Sequence, residues 1–407
     1  MAIVGIPENR RVTLFQAALG RVGLPAARVV SWREVLTGSA GFRSGELVRL
    51  DSPGEDPQVE WMLRAVEDPT RVEGSARWYR RFVAAARTVA DAAAASGATL
   101  LDDPADLAVL FDKRLCHAVL RNADVAVPFS PTSGNVEPVR DWQDVRERMA
   151  AGGLTRAFVK LAHGSSASGV LAVETASRGR VQATTSVQRD GQGRLFNSLR
   201  VRRYTTEAEV AAIVDALAPD GLHIERWLPK ASQDGRSADL RVVVVAGRAT
   251  HAVVRTSPSP LTNLHLGGAR GDLAAARTAI DNAGGDWSKV LELCERAAAC
   301  FPRFSRVGVD LLPGVGWRRF AIGEVNAFGD LLPGLRGLDG SGAESGDTYD
   351  AQVTALTSGR MRPSAAVPAA SPRSPSWPAP AMLPPTATRP GVESARPATG
   401  NEPYART

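Results

Sequence analysis

Two apolar runs in the last third of the chain end in oxygen ligands: VGVDLL carries Asp310, and FAIGEVNAFGDL carries Glu324 and Asn326. Donors of this kind suit a hard cation. Magnesium keeps several of its waters and takes one or two protein carboxylates, with substrate phosphates completing an octahedral shell. In an extended strand residues i and i+2 share a face, so Glu324 and Asn326 point one way while Val325 packs behind them. Two surface strands with polar ends would carry the same pattern, so the reading depends on what lies upstream.

Three upstream segments bear on it. In AFVKLAHGSSASGVLAVE a strand ends at Lys160, a loop rich in glycine and serine follows, and a strand resumes at Val170. Gly164 and Gly169 let backbone N–H groups approach phosphate oxygens, Ser165, Ser166 and Ser168 add hydroxyls, and Lys160 adds a positive charge. A plain hairpin has a similar composition. In LHIERWLPK an apolar strand runs into Glu225, Arg226, Trp227 and Leu228, where backbone groups beside an apolar wall would suit an adenine ring. An ordinary amphipathic strand is the other reading. In SADLRVVVVAGRATHAVVRTSPSPLTNLHLGG two adjacent strands carry Arg241 and Arg255, and a loop carries Asn263 and His265. The planar guanidinium fork suits phosphate and carboxylate, although surface salt bridges use arginine equally well.

The elements that must position these residues fall into blocks. MAIVGI, AARVVSW and ELVRL read as strands alternating with helices in RRVTLFQAALGRVG, PQVEWMLRAV and ARWYRRFVAAARTVADAAAA, which implies a parallel sheet covered by helices. The first strand leads into GIPENR rather than a G-x-G-x-x-G turn, which disfavours a dinucleotide fold. A short helix over residues 111–122 carries Asp112 and Lys113, and VAVPFSPT reads as a strand or extended exit. A small antiparallel block follows, and a last folded block, residues 222–357, runs from LHIERWL to the Asp310 and Glu324 strands.

Composition narrows the class. At 407 residues the chain has room for two or three domains. Its formal charge is +6, but from Arg360 onward six arginines face only Glu393 and Glu402, so the basic balance belongs mostly to the tail and a nucleic-acid partner is not expected. That tail is rich in Pro, Ala, Ser and Thr and is expected to be disordered. Cys116, Cys294 and Cys300 have no metal-binding spacing and are read as packing residues in a reducing compartment. MAIVGI is too short for a signal peptide and no stretch reads as a membrane span, so a cytoplasmic location is expected.

Taken in order, these segments resemble the ATP-grasp superfamily. The block from DLRVVVV through TNLHLGG to GVDLL and GEVNAFGDL is most similar to RimK-type glutamate ligases, and the chain with its IPENRR start resembles a group of bacterial ATP-grasp proteins. The resemblance covers residues 105–335 or so. It implies a mixed α/β and α+β fold in which two α+β subdomains, 111–215 and 216–358, clasp ATP. A Rossmann-like pre-ATP-grasp domain, 1–110, would precede them and a disordered tail, 359–407, would follow.

The resemblance also implies roles. Lys113 and Lys160 would contact the nucleotide, Lys160 near the α-phosphate, and the loop from Gly164 to Gly169 would close as a lid. Glu225, Arg226 and the backbone of Trp227 and Leu228 would hold adenine. Asp310, Glu324 and Asn326 would bind two Mg²⁺, or Mn²⁺ in their place, with Glu324 bridging. Arg255 and Asn263 would face the γ-phosphate and the acyl group, with Arg241 nearby.

The implied activity is an ATP-dependent carboxylate–amine ligase working through an acyl phosphate on small-molecule or peptide substrates, in a protein that could pair as a homodimer. Two other readings stay open: a non-catalytic nucleotide-binding scaffold whose tail docks a partner, and a kinase. The loop HGSSASGV has fewer glycines than many relatives, His265 reads as structural, and Asp330 in AFGDLLPG has no counterpart in the family pattern.

Overall fold

The computed structural model describes residues 1–164, 167–176, 180–262 and 266–361, which form three sheets and eleven α-helices. Ser165, Ser166, Asn263, His265 and the tail from Arg362 lie outside the described residues. The first sheet joins β1 (Ala2–Gly5) in parallel to β2 (Arg28–Ser31) and β3 (Leu47–Leu50), with β4 (Thr99–Leu100) beyond β3. Its helices are α1 (Arg10–Arg21), α2 (Trp32–Thr37), α3 (Pro57–Arg64) and α4 (Ser75–Ser96). The Asn9 side chain caps α1 by accepting from the Arg11 N–H, and Val12, Phe15, Ala18 and Leu19 form its buried stripe.

Helices α5 (Pro104–Leu110), α6 (Lys113–Asn122) and α7 (Trp142–Ala151) lead to a five-stranded antiparallel sheet. Its strands are β5 (Arg156–Leu161), β6 (Leu171–Thr175), β7 (Val181–Arg189), β8 (Leu195–Tyr204) and, after α8 (Glu207–Leu217), β9 (Leu222–Arg226). They stand in the order β8-β7-β6-β5-β9. The third sheet, also antiparallel, uses β10 (Ser232–Gln233), β11 (Arg236–Val245), β12 (Arg248–Ser257), β13 (Ala269–Arg270), β14 (Arg306–Pro313) and β15 (Phe320–Asn326). Leu240, Val242, Val309 and Leu311 on one face share a core with Val290, Cys294 and Ala297 of α10 (Trp287–Ala299), beside α9 (Leu273–Asn282). Among the described residues no helix is long and apolar enough to cross a membrane.

Several expectations are corrected. β9 was placed with the last folded block, but it pairs with β5 and closes the five-stranded sheet, so the sheets change hands after Arg226 rather than at 215. Helix α6 was grouped with the middle block, yet Cys116 and Leu120 pack in the core of the third sheet. VAVPFSPT forms no strand. Helices α2, α5, α7 and α9 and the last helix, α11 (Thr348–Thr357), escaped the reading. The tail boundary at 359 also moves, because Met361 is buried with Val243, Val245 and Ala355.

Helix α11 joins two bodies: Tyr349 and Val353 pack with Ile3, Phe15 and Leu19, while Ala351 and Ala355 pack with Val243 and Val245 of β11. Beneath it lies a buried cluster of charge. Asp330, 1% exposed, accepts from Arg11 Nη1 at 2.6 Å and Gln352 Nε2 at 2.9 Å, with Arg49 Nη2 at 3.6 Å. Arg306 reaches Asp102 at 2.7 Å and the Leu50 carbonyl, and Arg49 donates to Gln352 Oε1 at 2.6 Å. Burial would raise the Asp330 carboxyl, but Arg11, Arg49 and Arg306 hold it below the usual carboxylate range. Asp330 thus has a structural role. Removing one member of a buried ionic cluster leaves its partners uncompensated, so Asp330→Ala is expected to cost about 3–5 kcal/mol of stability in urea unfolding.

Candidate active site

The third sheet presents a row of charge on the face opposite α10. Period-two alternation puts Asp239 and Arg241 of β11 on that face, and the register sets Arg255 of β12 opposite Asp239, Asp310 of β14 opposite Arg241, and Glu324 of β15 opposite Asp310. Arg241 grips Asp310 with two bonds, Nε to Oδ1 at 2.5 Å and Nη2 to Oδ2 at 3.1 Å. Arg255 bridges, with Nε to Asp239 Oδ1 at 2.7 Å and Nη2 to Asp310 Oδ1 at 3.1 Å. Burial opposes ionisation of Asp310, yet the two guanidinium groups push its carboxyl far below the usual range. Burial also works against the Arg255 charge, and Asp310 and Asp239 more than offset it, so Arg255 is permanently cationic.

The five-stranded sheet supplies the facing wall. Phe158 and Lys160 of β5 alternate with buried Ala157, Val159 and Leu161, and His223 of β9 lies opposite Lys160. Lys160 Nζ donates to Glu225 Oε1, while His223 Nε2 lies 3.6 Å from Oε2. Burial alone would raise the Glu225 carboxyl; Lys160 and His223 bring it down to about 2. Lys160 responds in the other sense, raised by Glu225 and Glu324 against burial. Lys113, the first residue of α6, enters between the sheets and donates to Glu324 Oε1 at 2.5 Å and to the Gly164 carbonyl at 2.7 Å.

The lysines, arginines and carboxylates of both faces line one cavity of about 780 Å³. It brings together Lys113, Lys160, Gly164, Glu225, Arg226, Leu228, Arg241, Arg255, Asp310, Glu324 and Asn326, while Gly169 and Trp227 are outside its lining. Gly169 has φ +65°, and a Cβ there would meet Leu161 Cδ1 at 2.7 Å, so the loop return requires glycine. Trp227 packs its ring on Phe158, with centroids 5.4 Å apart, and its N–H donates to the Arg156 carbonyl. The Arg226 N–H is likewise taken, by the Phe129 carbonyl at 2.8 Å. Ser165, Ser166 and Asn263 are outside the described residues.

The sequence reading missed Asp239, Lys230 and Thr262. Asp239 sits two residues before Arg241, the same i, i+2 signal that marked Glu324 and Asn326. Lys230 donates to Thr262 Oγ1 at 2.8 Å and lies 3.4 Å from Asp239 Oδ2, with burial lowering its pKa despite Asp239.

The donor set fits a hard cation that shares its shell with phosphate. Among the described residues no three His, Cys, Asp or Glu side chains gather into a closed metal site. Asp310 and Glu324 instead face each other across β14 and β15, a pair of carboxylates of the number magnesium takes. Asn326 Nδ2 donates to the Gly308 carbonyl at 3.2 Å, so Oδ1 is the atom with which it could ligate a cation. The backbone is held closely here: a Cβ on Gly308 would lie 2.5 Å from the Gly329 carbonyl oxygen.

No protein-family model and no curated protein matches the chain. Among solved structures, the D-cycloserine synthetase DcsG superposes with TM-score 0.53 at 18% identity, covering 89% of this chain and 99% of that one. A structure of the ATP-grasp ligase PsnB with minimal precursor gives 0.49 at 16% identity over 88% and 98%, and the ADP complex of the carboxyaminoimidazole ribonucleotide synthetase PurK gives 0.49 at 10% over 87% and 75%. The likeness is one of fold: the chain has the ATP-grasp fold.

The Glu225 carboxyl gives this site a pH signature. Its folded pKa is depressed from 4.5 to about 2, so its contribution is fully present above about 4.5 and is lost as pH falls toward 2. That contribution is roughly 3 kcal/mol at most. Urea titrations at pH 6 and pH 3 should show the wild type losing more stability over this interval than Glu225→Gln does.

Proposed function

We propose that the chain is an ATP-dependent ligase that phosphorylates a substrate carboxylate to an acyl phosphate and passes the acyl group to an amine. The observation that carries this reading is the cross-strand row Arg255, Arg241, Asp310 and Glu324 facing Lys113 and Lys160 across a single cavity. Within the fold, the order of the motifs favours RimK-type relatives.

Asp310, Glu324 and Asn326 would hold Mg²⁺, with Glu324 shared if two ions bind; the metal supplies neutralisation of phosphate charge. Lys160 and Lys113 would bind the phosphates, Arg226 and Leu228 lie where β9 leaves the wall for the base, and Arg241 and Arg255 would stabilise charge on the transferring phosphoryl group. The substrate carboxylate attacks the γ-phosphorus and the bond to the bridging oxygen of ADP breaks. The amine then attacks the acyl carbon, a C–N bond forms, phosphate leaves and the amine loses a proton.

This sequence needs no protein nucleophile, and the wall is built accordingly. Among the described lining residues there is no cysteine, and the one histidine, His163, has its pKa lowered chiefly by burial. Cys116, behind the wall, has its thiol pushed up to about 12 by burial. Catalysis would rest on positioning and fixed charge.

ADP release measured over pools of carboxylic acids and amines should be ATP- and Mg²⁺-dependent and stop with EDTA. A stable phosphorylated acid in place of an amide would overturn the ligase reading. Glu324→Ala should lower turnover by about 100-fold or more and weaken ATP·Mg²⁺ binding; binding as tight as wild type would sink the metal assignment.

A further inference from the structure

A second, smaller cavity of about 20 Å³ adjoins the first. Lys113, Glu225 and Glu324 line both, so these side chains form the partition between them. His223 lines only the smaller one. It is 1% exposed, stands opposite Lys160 in the β5–β9 register, and shares its face of β9 with Glu225 two residues on.

Among the described residues Glu225 has two partners: the Lys160 ammonium on Oε1, and the His223 ring, whose Nε2 lies 3.6 Å from Oε2. The other ring nitrogen, Nδ1, lies 3.2 Å from Thr132 Oγ1, which itself accepts from the Ile224 N–H at 2.7 Å. Burial lowers the His223 pKa below the ordinary imidazole value, and Lys160 and Lys113 add to this against the pull of Glu225, so the ring is neutral at pH 7. A neutral imidazole has one N–H. On Nδ1 it would leave a lone pair aimed at a buried carboxylate. On Nε2 it faces Glu225 and lets the Thr132 hydroxyl donate to Nδ1, which is the favourable arrangement. His117, with its ring centre 5.5 Å from that of His223, is engaged elsewhere, by Ser133 Oγ at 2.8 Å and the Pro128 carbonyl at 2.6 Å. The run from Pro128 to Ser133, which forms no strand, thus sets both rings.

We propose that His223 is a positioning residue of the nucleotide site: its Nε2–H fixes Glu225 Oε2, so that Oε1 holds the Lys160 ammonium at the cavity wall. The proposal rests on the reading of Lys160 as a phosphate-binding lysine and adds a residue that acts on it from outside the main cavity. A phosphate draws on the Lys160 ammonium, and Glu225, 3% exposed, has little water to replace what it loses. His223 is the partner that stays.

The experiment titrates the full chain with Mg²⁺ and a non-hydrolysable ATP analogue by calorimetry, comparing wild type, His223→Gln and His223→Asn. A glutamine amide nitrogen reaches the Nε2 position, whereas an asparagine amide reaches only the Nδ1 position. His223→Asn should weaken binding by about tenfold, and His223→Gln should stay within about threefold of wild type. In a Glu225→Gln background His223→Asn should cause no further loss. Equal losses in the two variants, wild-type affinity in both, or an undiminished His223→Asn effect in the Glu225→Gln background overturns the proposal and leaves the ligase reading standing. Nitrogen-15 NMR of the wild type, which needs no variant to fold, should show His223 at pH 7 as the neutral Nε2–H tautomer; the Nδ1–H tautomer also overturns the proposal. Folded wild type that does not bind the analogue removes the Lys160 reading and the proposal together.

Discussion

A carboxylate that almost no water reaches, Asp330, sets the frame on which the cavity depends. Arg11 comes from α1 and Arg49 from β3, Arg306 from β14 and Gln352 from α11, and all converge on it or on each other. Burying such a cluster is costly unless every charge is answered, so the parallel sheet cannot lift from the third sheet without stranding charge. Burial and the neighbouring Arg306 lower the Arg49 pKa, while Asp102, Asp51 and Asp330 raise that of Arg306. Asp330 stands four residues beyond Asn326, so the same node fixes the end of β15. The Gly308–Gly329 approach then presses that end against β14.

From this frame the site follows by strand arithmetic. Antiparallel pairing sets Asp239, Arg241, Arg255, Asp310 and Glu324 side by side on one face, while the apolar residues between them face α10. The five-stranded sheet brings Lys160 and Glu225 on neighbouring strands in the same way. Asp220, just before β9, accepts from the Gly74 N–H at 2.6 Å and the Ala76 N–H at 3.0 Å at the start of α4, which ties the five-stranded sheet to the helices of the parallel sheet. The two charged faces line one cavity.

Much of this was legible because strand periodicity is local. Glu324 and Asn326, two residues apart, announce a shared face, and the ordered motifs lead to the fold that the structure has. Asp239 was equally readable beside Arg241 and went unread. The caps of the missed helices were present too, with Asp141, Asp272 and Asp347 each accepting a first-turn N–H. Other features were out of reach for a physical reason. Nothing in LHIERWLPK tells which of two antiparallel sheets β9 will join, since that choice rests on pairing with β5 more than sixty residues away. Asp330 looked like a stray acid because Arg11, its partner, is 319 residues distant.

The carboxylates of the cavity already carry internal counterions: Lys113 on Glu324, Lys160 on Glu225, and two arginines on Asp310. For the proposed reaction, loading the site is therefore an exchange of partners. A cation taken up at Glu324 would release the Lys113 ammonium, and a polyphosphate would give that ammonium a new partner. Metal and nucleotide would then be linked ligands, each raising the affinity of the other by the same factor.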